Sequence, residues 1–120
     1  MAIKDFKEVF VWQKAHQLAL AVYKITAAYP KDEVYGLVSQ TRRAAVSIPS
    51  NIAEGFKRFG VQDDVRFCNI AQGSLEEIRY QILLAKDLGY INAVQYGTIE
   101  SLSVEVAKLL TLWLKSKPQK

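Results

Sequence analysis

Apolar residues recur three and four positions apart in four separate stretches of this 120-residue chain, and that spacing confines it to helices packed on helices. In the first stretch, Val11, Ala15, Leu18, Val22, Ile25 and Tyr29 are separated by 4, 3, 4, 3 and 4 residues, the seam of a helical bundle. In the last, Ile99, Leu102, Val106, Leu109 and Trp113 repeat at 3, 4, 3 and 4. A third-helix stripe runs through Phe67, Ile70, Ala71, Ser74, Leu75, Ile78, Ile82, Ala85 and Leu88. Pro30, Gly60, Gly89 and Pro118 punctuate the pattern. Helices are predicted over 7–28, 33–58, 62–88 and 92–116. At 1.5 Å per residue each spans about 30–40 Å. Short connections make sequential neighbours antiparallel. The expectation is one all-α domain over residues 1–120, an up-down-up-down four-helix bundle.

Local signals mark the ends. Asp32 and Glu33 favour the start of the second helix. Asn92 and Gln95 have capping-box spacing at the start of the fourth. Gly89 suits a left-handed cap, with Ile91 placed to pack back on the last turn. Gly73, inside the third helix, costs about 1 kcal/mol against alanine and is expected to admit a neighbouring helix.

The second helix carries a proline, Pro49, near its middle. The ring removes one backbone hydrogen bond and clashes with the carbonyl one turn back, costing ~3 kcal/mol or more, so a kink is expected there. Ser47 and Ser50 are placed to bond the carbonyls it frees. At 100° per residue, Val34, Leu37, Val38, Ala45, Ile48, Ile52 and Phe56 gather on one side of this helix. Ser39, Arg43, Ser47, Ser50 and Glu54 line the other. That polar stripe of mostly small side chains is a candidate contact surface; an ordinary solvated face is the alternative. The first helix has a second track as well, Trp12, His16, Ala19, Leu20 and Tyr23. Two tracks on one helix imply a central position or a partner subunit.

Composition narrows the function. Half the residues are hydrophobic and three are proline, so the chain buries a core rather than remaining disordered. The net charge of +4 and pI of about 9.2 are mildly basic, which keeps nucleic acid open as a partner. The single cysteine, Cys68, forms no internal disulfide, and the charged N-terminus MAIKDFKE is unlike a secretory signal. No apolar run approaches the ~18–20 residues that span a bilayer. A cytoplasmic protein without membrane partners is expected.

No residue set announces catalysis, a cofactor or a metal. A di-iron bundle needs Glu-x-x-His pairs, whereas the only histidine, His16, has Gln13 three residues before it. Cys68 lies in a helix interior without an activating base and fits a packing role. Glu76 and Glu77 are adjacent and point about 100° apart on a helix, unlike an acid–base pair. An enzyme is therefore not expected, nor a small-molecule substrate. Arg42, Arg43, Lys57, Arg58 and Arg66 lie on the second helix and the start of the third, with Phe56 and Phe59 between them. Cations can meet phosphates while aromatics stack on bases, so Arg42, Lys57, Arg58, Phe59 and Arg66 form a candidate nucleic-acid contact.

The runs VWQKAHQLAL (11–20), YGLVSQTRRAAVSIPSNIAEGFKR (35–58) and NIAQGSLEE (69–77), with LGYI (88–91), resemble the four-helix-bundle proteins encoded in bacterial 23S rRNA intervening sequences. The resemblance covers nearly the whole chain. It implies a homo-oligomer, typically a pentamer. It also extends to accessory proteins of diversity-generating retroelements, basic pentameric barrels that work with a reverse transcriptase and nucleic acid. Arg43 and Glu54 are 11 residues apart, about 16 Å along the axis, too far to pair with each other. The expected interface between copies is Trp12, His16, Tyr23, Ser39, Arg43, Ser47, Ser50 and Glu54. The expected role is a non-enzymatic scaffold or adaptor with RNA or a nucleoprotein as partner. A protein-only interaction module is the alternative.

Overall fold

The structure is a computed structural model that describes residues 3–57 and 61–116. It is all-α, with four helices and no strand among the described residues: α1 (Phe10–Thr26), α2 (Leu37–Lys57), α3 (Val61–Asp87) and α4 (Ala93–Lys115). Short 3-10 turns, Phe6–Glu8 and Lys31–Glu33, precede α1 and α2. α1 packs on α2 and α4, and α3 packs on the same two. The molecule measures 47 × 25 × 20 Å.

The three-and-four spacing puts one stripe of each helix into a common core. Leu18, Ile48, Ile52, Leu75, Ile78, Ile82, Ile99 and Leu110 are among its largest fully buried side chains. Fully buried alanines, Ala15, Ala45, Ala71 and Ala85, let the helices approach closely between them. Burying a Leu or Ile side chain contributes roughly 1.5–3 kcal/mol, so these eight residues outweigh any single cap or ion pair.

Several ends follow the sequence signals. Asn92 accepts from the Gln95 backbone at 2.8 Å, and Gln95 Oε1 accepts from the Asn92 backbone at 2.9 Å. Gly89 sits at φ +81°, where the Tyr90 N–H donates to the Ala85 carbonyl and the Gly89 N–H to that of Lys86. Those two bonds are the Schellman pair that closes a helix C-terminus. Ile91 is buried.

Others differ, each for a physical reason. α1 starts three residues later than the pattern suggests. Asp5 accepts from the Lys7 backbone, capping the preceding turn, and Val9 is extended so that its side chain enters the core. α2 starts at Leu37, four residues late. Glu33 nonetheless caps it, because its Oε1 accepts from the Leu37 N–H at 3.1 Å. Val34, Ile70 and Leu88, expected in apolar stripes, are 47%, 43% and 50% exposed. They sit at the edge of their stripes, where period alone does not separate core from flank. At Gly73 nothing among the described residues lies within 4 Å of where a Cβ would be, so the close approach of a neighbouring helix expected there is not made. The close approach occurs at Gly55, whose missing Cβ would lie 3.3 Å from that of Phe67.

α2 continues through Pro49, which is buried. Of the two hydroxyls expected to answer the freed carbonyls, that of Ser47 takes another partner. Ser47 Oγ accepts from Ser74 Oγ at 2.9 Å, and the Asn51 amide donates to the Ser47 carbonyl at 2.7 Å. Gly60 and Pro118, expected to end α2 and α4, lie outside the described residues, as does Lys117 at the expected negative end of α4.

Candidate self-association interface

α1 and α2 enclose an open groove of about 1050 Å³ near the C-terminal end of α1. Four of the eight residues expected at an interface meet there: Tyr23 from α1, and Ser39, Arg43 and Ser47 from α2. They share it with Val34, Tyr35 and Val46, all exposed, and with Lys31 and Arg42. Tyr35 is 97% exposed. A tyrosine ring fully in water beside two exposed valines is an uncovered apolar surface. The 4-residue spacing of the serine stripe carries back one turn from Ser39 to Tyr35. The sequence therefore held the signal for this residue.

The groove is positive. Lys31, Arg42 and Arg43 line it and no carboxylate does. Arg42 is held in place from three sides. Its Nε donates to Thr26 Oγ1 at 2.9 Å, its Nη2 donates to the Tyr23 carbonyl at 3.2 Å, and its guanidinium lies 4.5 Å from the Tyr23 ring centre. The cation thus meets the negative end of α1, adds a second donor to the Tyr23 carbonyl, which also accepts from the Ala27 N–H, and fixes the Tyr23 ring. Arg43 is exposed and forms no ion pair with a described residue. It also edges a shallow hollow between α2 and α3, opposite Glu77.

The other four expected interface residues lie elsewhere. Trp12 and His16 stack at 5.1 Å with their planes 10° apart, and Phe6 meets Trp12 edge-on at 5.0 Å. Phe6 and Trp12 are half-buried and His16 is exposed, on the N-terminal half of α1 and the turn before it. Glu54 lines a second hollow, of about 430 Å³, with Phe6, Ala53 and Lys57. Ser50 is exposed on α2 outside the groove.

Of the three described candidate nucleic-acid residues, Arg42 stands apart from Lys57. Arg42 is in the groove, whereas Lys57 is 15 residues farther along α2, about 22 Å. Arg66, on α3, pairs with Asp63 at 3.5 Å and lies 4.6 Å from the Phe67 ring centre. Arg58 and Phe59 lie outside the described residues. Among the described residues no three His, Cys, Asp or Glu side chains gather at metal-binding distance, and Cys68 is buried. No described helix is long and apolar enough to cross a membrane.

At the far end of the groove, Glu33 ties the α1–α2 connection to the α3–α4 connection. Its Oε2 accepts from the Tyr90 hydroxyl at 2.8 Å while Oε1 caps α2. The backbone hydrogen bond from Leu37, then that from Tyr90, hold the Glu33 carboxyl below its ordinary value. The same bond raises the Tyr90 phenol. Tyr29, 5.3 Å from Tyr90 between ring centres, is pushed up to about 12 by burial.

Two comparisons with known proteins bear on the chain. Residues 7–112 match the family model described as 23S rRNA-intervening sequence protein. The fold is similar to the 1.70 Å crystal structure of a protein of unknown function from the S23 ribosomal protein family of Bacteroides thetaiotaomicron VPI-5482. That likeness has a TM-score of 0.78 at 28% identity and covers 88% of this chain and 99% of the other. No curated protein is significantly similar. With the family model covering all but the two ends, the chain belongs to the 23S rRNA-intervening sequence protein family.

Proposed function

We propose that this chain is a non-enzymatic scaffold that assembles with copies of itself through the α1–α2 groove. Its helices run alternately up and down, with α2 bent at Pro49, and the assembly closes on itself, as the pentamers implied by the family resemblance do. One observation carries this reading: Tyr23, Val34, Tyr35 and Val46 leave an apolar surface open to water along a groove of about 1050 Å³. Covering such a surface is favourable by roughly 25 cal/mol per Å² of apolar area, and a stable interface needs about 800 Å² from each partner. The test is Arg43→Ala and Tyr35→Asp in light scattering. Both lower the assembled mass while far-UV helicity is retained. Unchanged mass in both variants rejects the groove as the interface.

A second reading, in which the assembly carries RNA, draws on the net charge of +4 and on the exposed Lys57 and Arg66, on either side of residues 58–60 in the chain. The resemblance to retroelement accessory proteins supports it. Binding to single-stranded RNA that weakens with a slope of several counterions as salt rises favours this reading. No binding at about 50 mM salt leaves the protein-only scaffold.

A further inference from the structure

The geometry points to a specific occupant for the groove: the outer ridge of α3 from a second copy of the chain, docked head to tail. This rests on the self-assembly reading above and names the surface that completes it.

Three observations converge on α3. First, Gly73 lies in the interior of a 27-residue helix, where glycine is unfavourable relative to alanine. Nothing else among the described residues comes within 4 Å of its missing Cβ, so no contact among them makes use of the glycine. A helical surface without a side chain is useful when another molecule's backbone must come close. Second, Ile70 and Tyr80 flank Gly73 on the same side, since steps of 3 and 7 residues stay on one helical face. They are 43% and 62% exposed. Third, the ridge is acidic where the groove is basic. Glu77 and Asp87 are exposed and form no ion pair with a described residue. In the groove, Lys31 and Arg43 are likewise exposed and unpaired among described residues.

The ridge is long enough to span the groove: from Ile70 to Asp87 it extends about 26 Å, and the α2 wall, from Val38 to Ser47, about 14 Å. Ridge and groove lie on different helices and adjoin at the hollow where Arg43 stands opposite Glu77. The groove lies between α1 and α2, and the ridge lies on α3, which packs on α2 and α4. A contact between unlike patches is heterologous, so copies add in one direction and close into a ring when the rotation permits. The cations of each groove steer the acidic ridge of the next copy into register.

The test uses two full-length variants, each damaged on one patch. Gly73→Trp fills the ridge notch, and Val46→Glu places an acid in the groove. Each alone is expected as single chains of 13.6 kDa in analytical ultracentrifugation, with wild-type far-UV helicity. Mixed one to one, they are expected to form a species of twice that mass, because the intact ridge of one chain meets the intact groove of the other. Gly73→Ala supplies a separate readout: it raises the thermal midpoint of dilute single chains yet weakens assembly. Assembly of Gly73→Trp at wild-type mass, with Val46→Glu dispersed, overturns the inference and leaves the groove reading standing. Nucleic acid retained by Gly73→Trp and lost from Val46→Glu assigns the groove to a polynucleotide and also overturns it. Wild-type protein that stays single-chain overturns both readings.

Discussion

Arg42 Nε donates to the Oγ1 of Thr26 at 2.9 Å, joining the middle of α2 to the last residue of α1. Thr26 is buried, and its hydroxyl in turn donates to the Val22 carbonyl at 2.7 Å. The chain therefore runs from a half-exposed cation through a buried hydroxyl into the backbone of α1. Arg42→Ala takes from the buried Thr26 Oγ1 its charged donor, while the Tyr23 carbonyl keeps the Ala27 N–H. A hydrogen bond from a charged group contributes about 1.5–3 kcal/mol, reduced here by partial exposure, so the expected loss is about 1–2 kcal/mol. Arg42→Lys recovers little of it, because an ammonium cannot present both donors of the guanidinium in one plane. Urea unfolding of the two variants at equal protein concentration measures this.

Glu33 makes stability depend on pH in a defined direction. Its carboxyl is held below the ordinary value of 4.5 in the folded chain by the Leu37 N–H and then the Tyr90 hydroxyl. Unfolding frees it to that ordinary value. The contribution is fully present above about 4.5 and is lost as pH falls through the lower folded value. Glu33→Gln is therefore less stable than wild type at neutral pH, and the gap narrows as pH falls below the ordinary value of 4.5. At the alkaline end, Tyr29 and Tyr90 are both raised above 10. Their contribution is intact below pH 10 and disappears as pH rises toward the value of about 12 for Tyr29. Thermal midpoints of wild type and Glu33→Gln across both ranges follow these slopes.

Arg79 clamps α3 to α4. Its Nε and Nη2 donate to Glu100 at 3.1 and 2.8 Å, and its Nη1 donates to Glu76 at 3.2 Å. The two carboxylates raise the guanidinium further. The group is 40% exposed, so solvent screens the attraction. Arg79→Lys keeps the charge and loses the fork. The expected destabilisation is small at low salt and shrinks at 1 M salt. Denaturation of wild type and variant at both salt concentrations reads the difference.

The architecture was legible in the sequence because its signals are local. The 4, 3, 4, 3, 4 spacing of α1, the Asn92–Gln95 box and Gly89 each act within one or two turns of the chain. The structure places them as that spacing requires. What sequence alone missed depends on contacts between distant residues. Arg42 looked like a phosphate contact, and only the fold brings Thr26, 16 residues away, to its Nε. Gly73 looked like a site of close packing inside the chain, whereas its surroundings are open. Ile70 and Leu88 had the period of core residues and lie at the surface. Half of the expected interface set meets in the groove. Trp12 and His16 are instead at the opposite end of α1, because a stripe along a helix of 17 residues extends about 25 Å.

Native mass spectrometry of the wild-type protein, purified without added nucleic acid, tests most directly whether copies of the chain cover each other's open groove. The expected spectrum is dominated by a closed multiple of the 13.6 kDa chain at micromolar concentration. A spectrum of 13.6 kDa single chains persisting at hundreds of micromolar contradicts it.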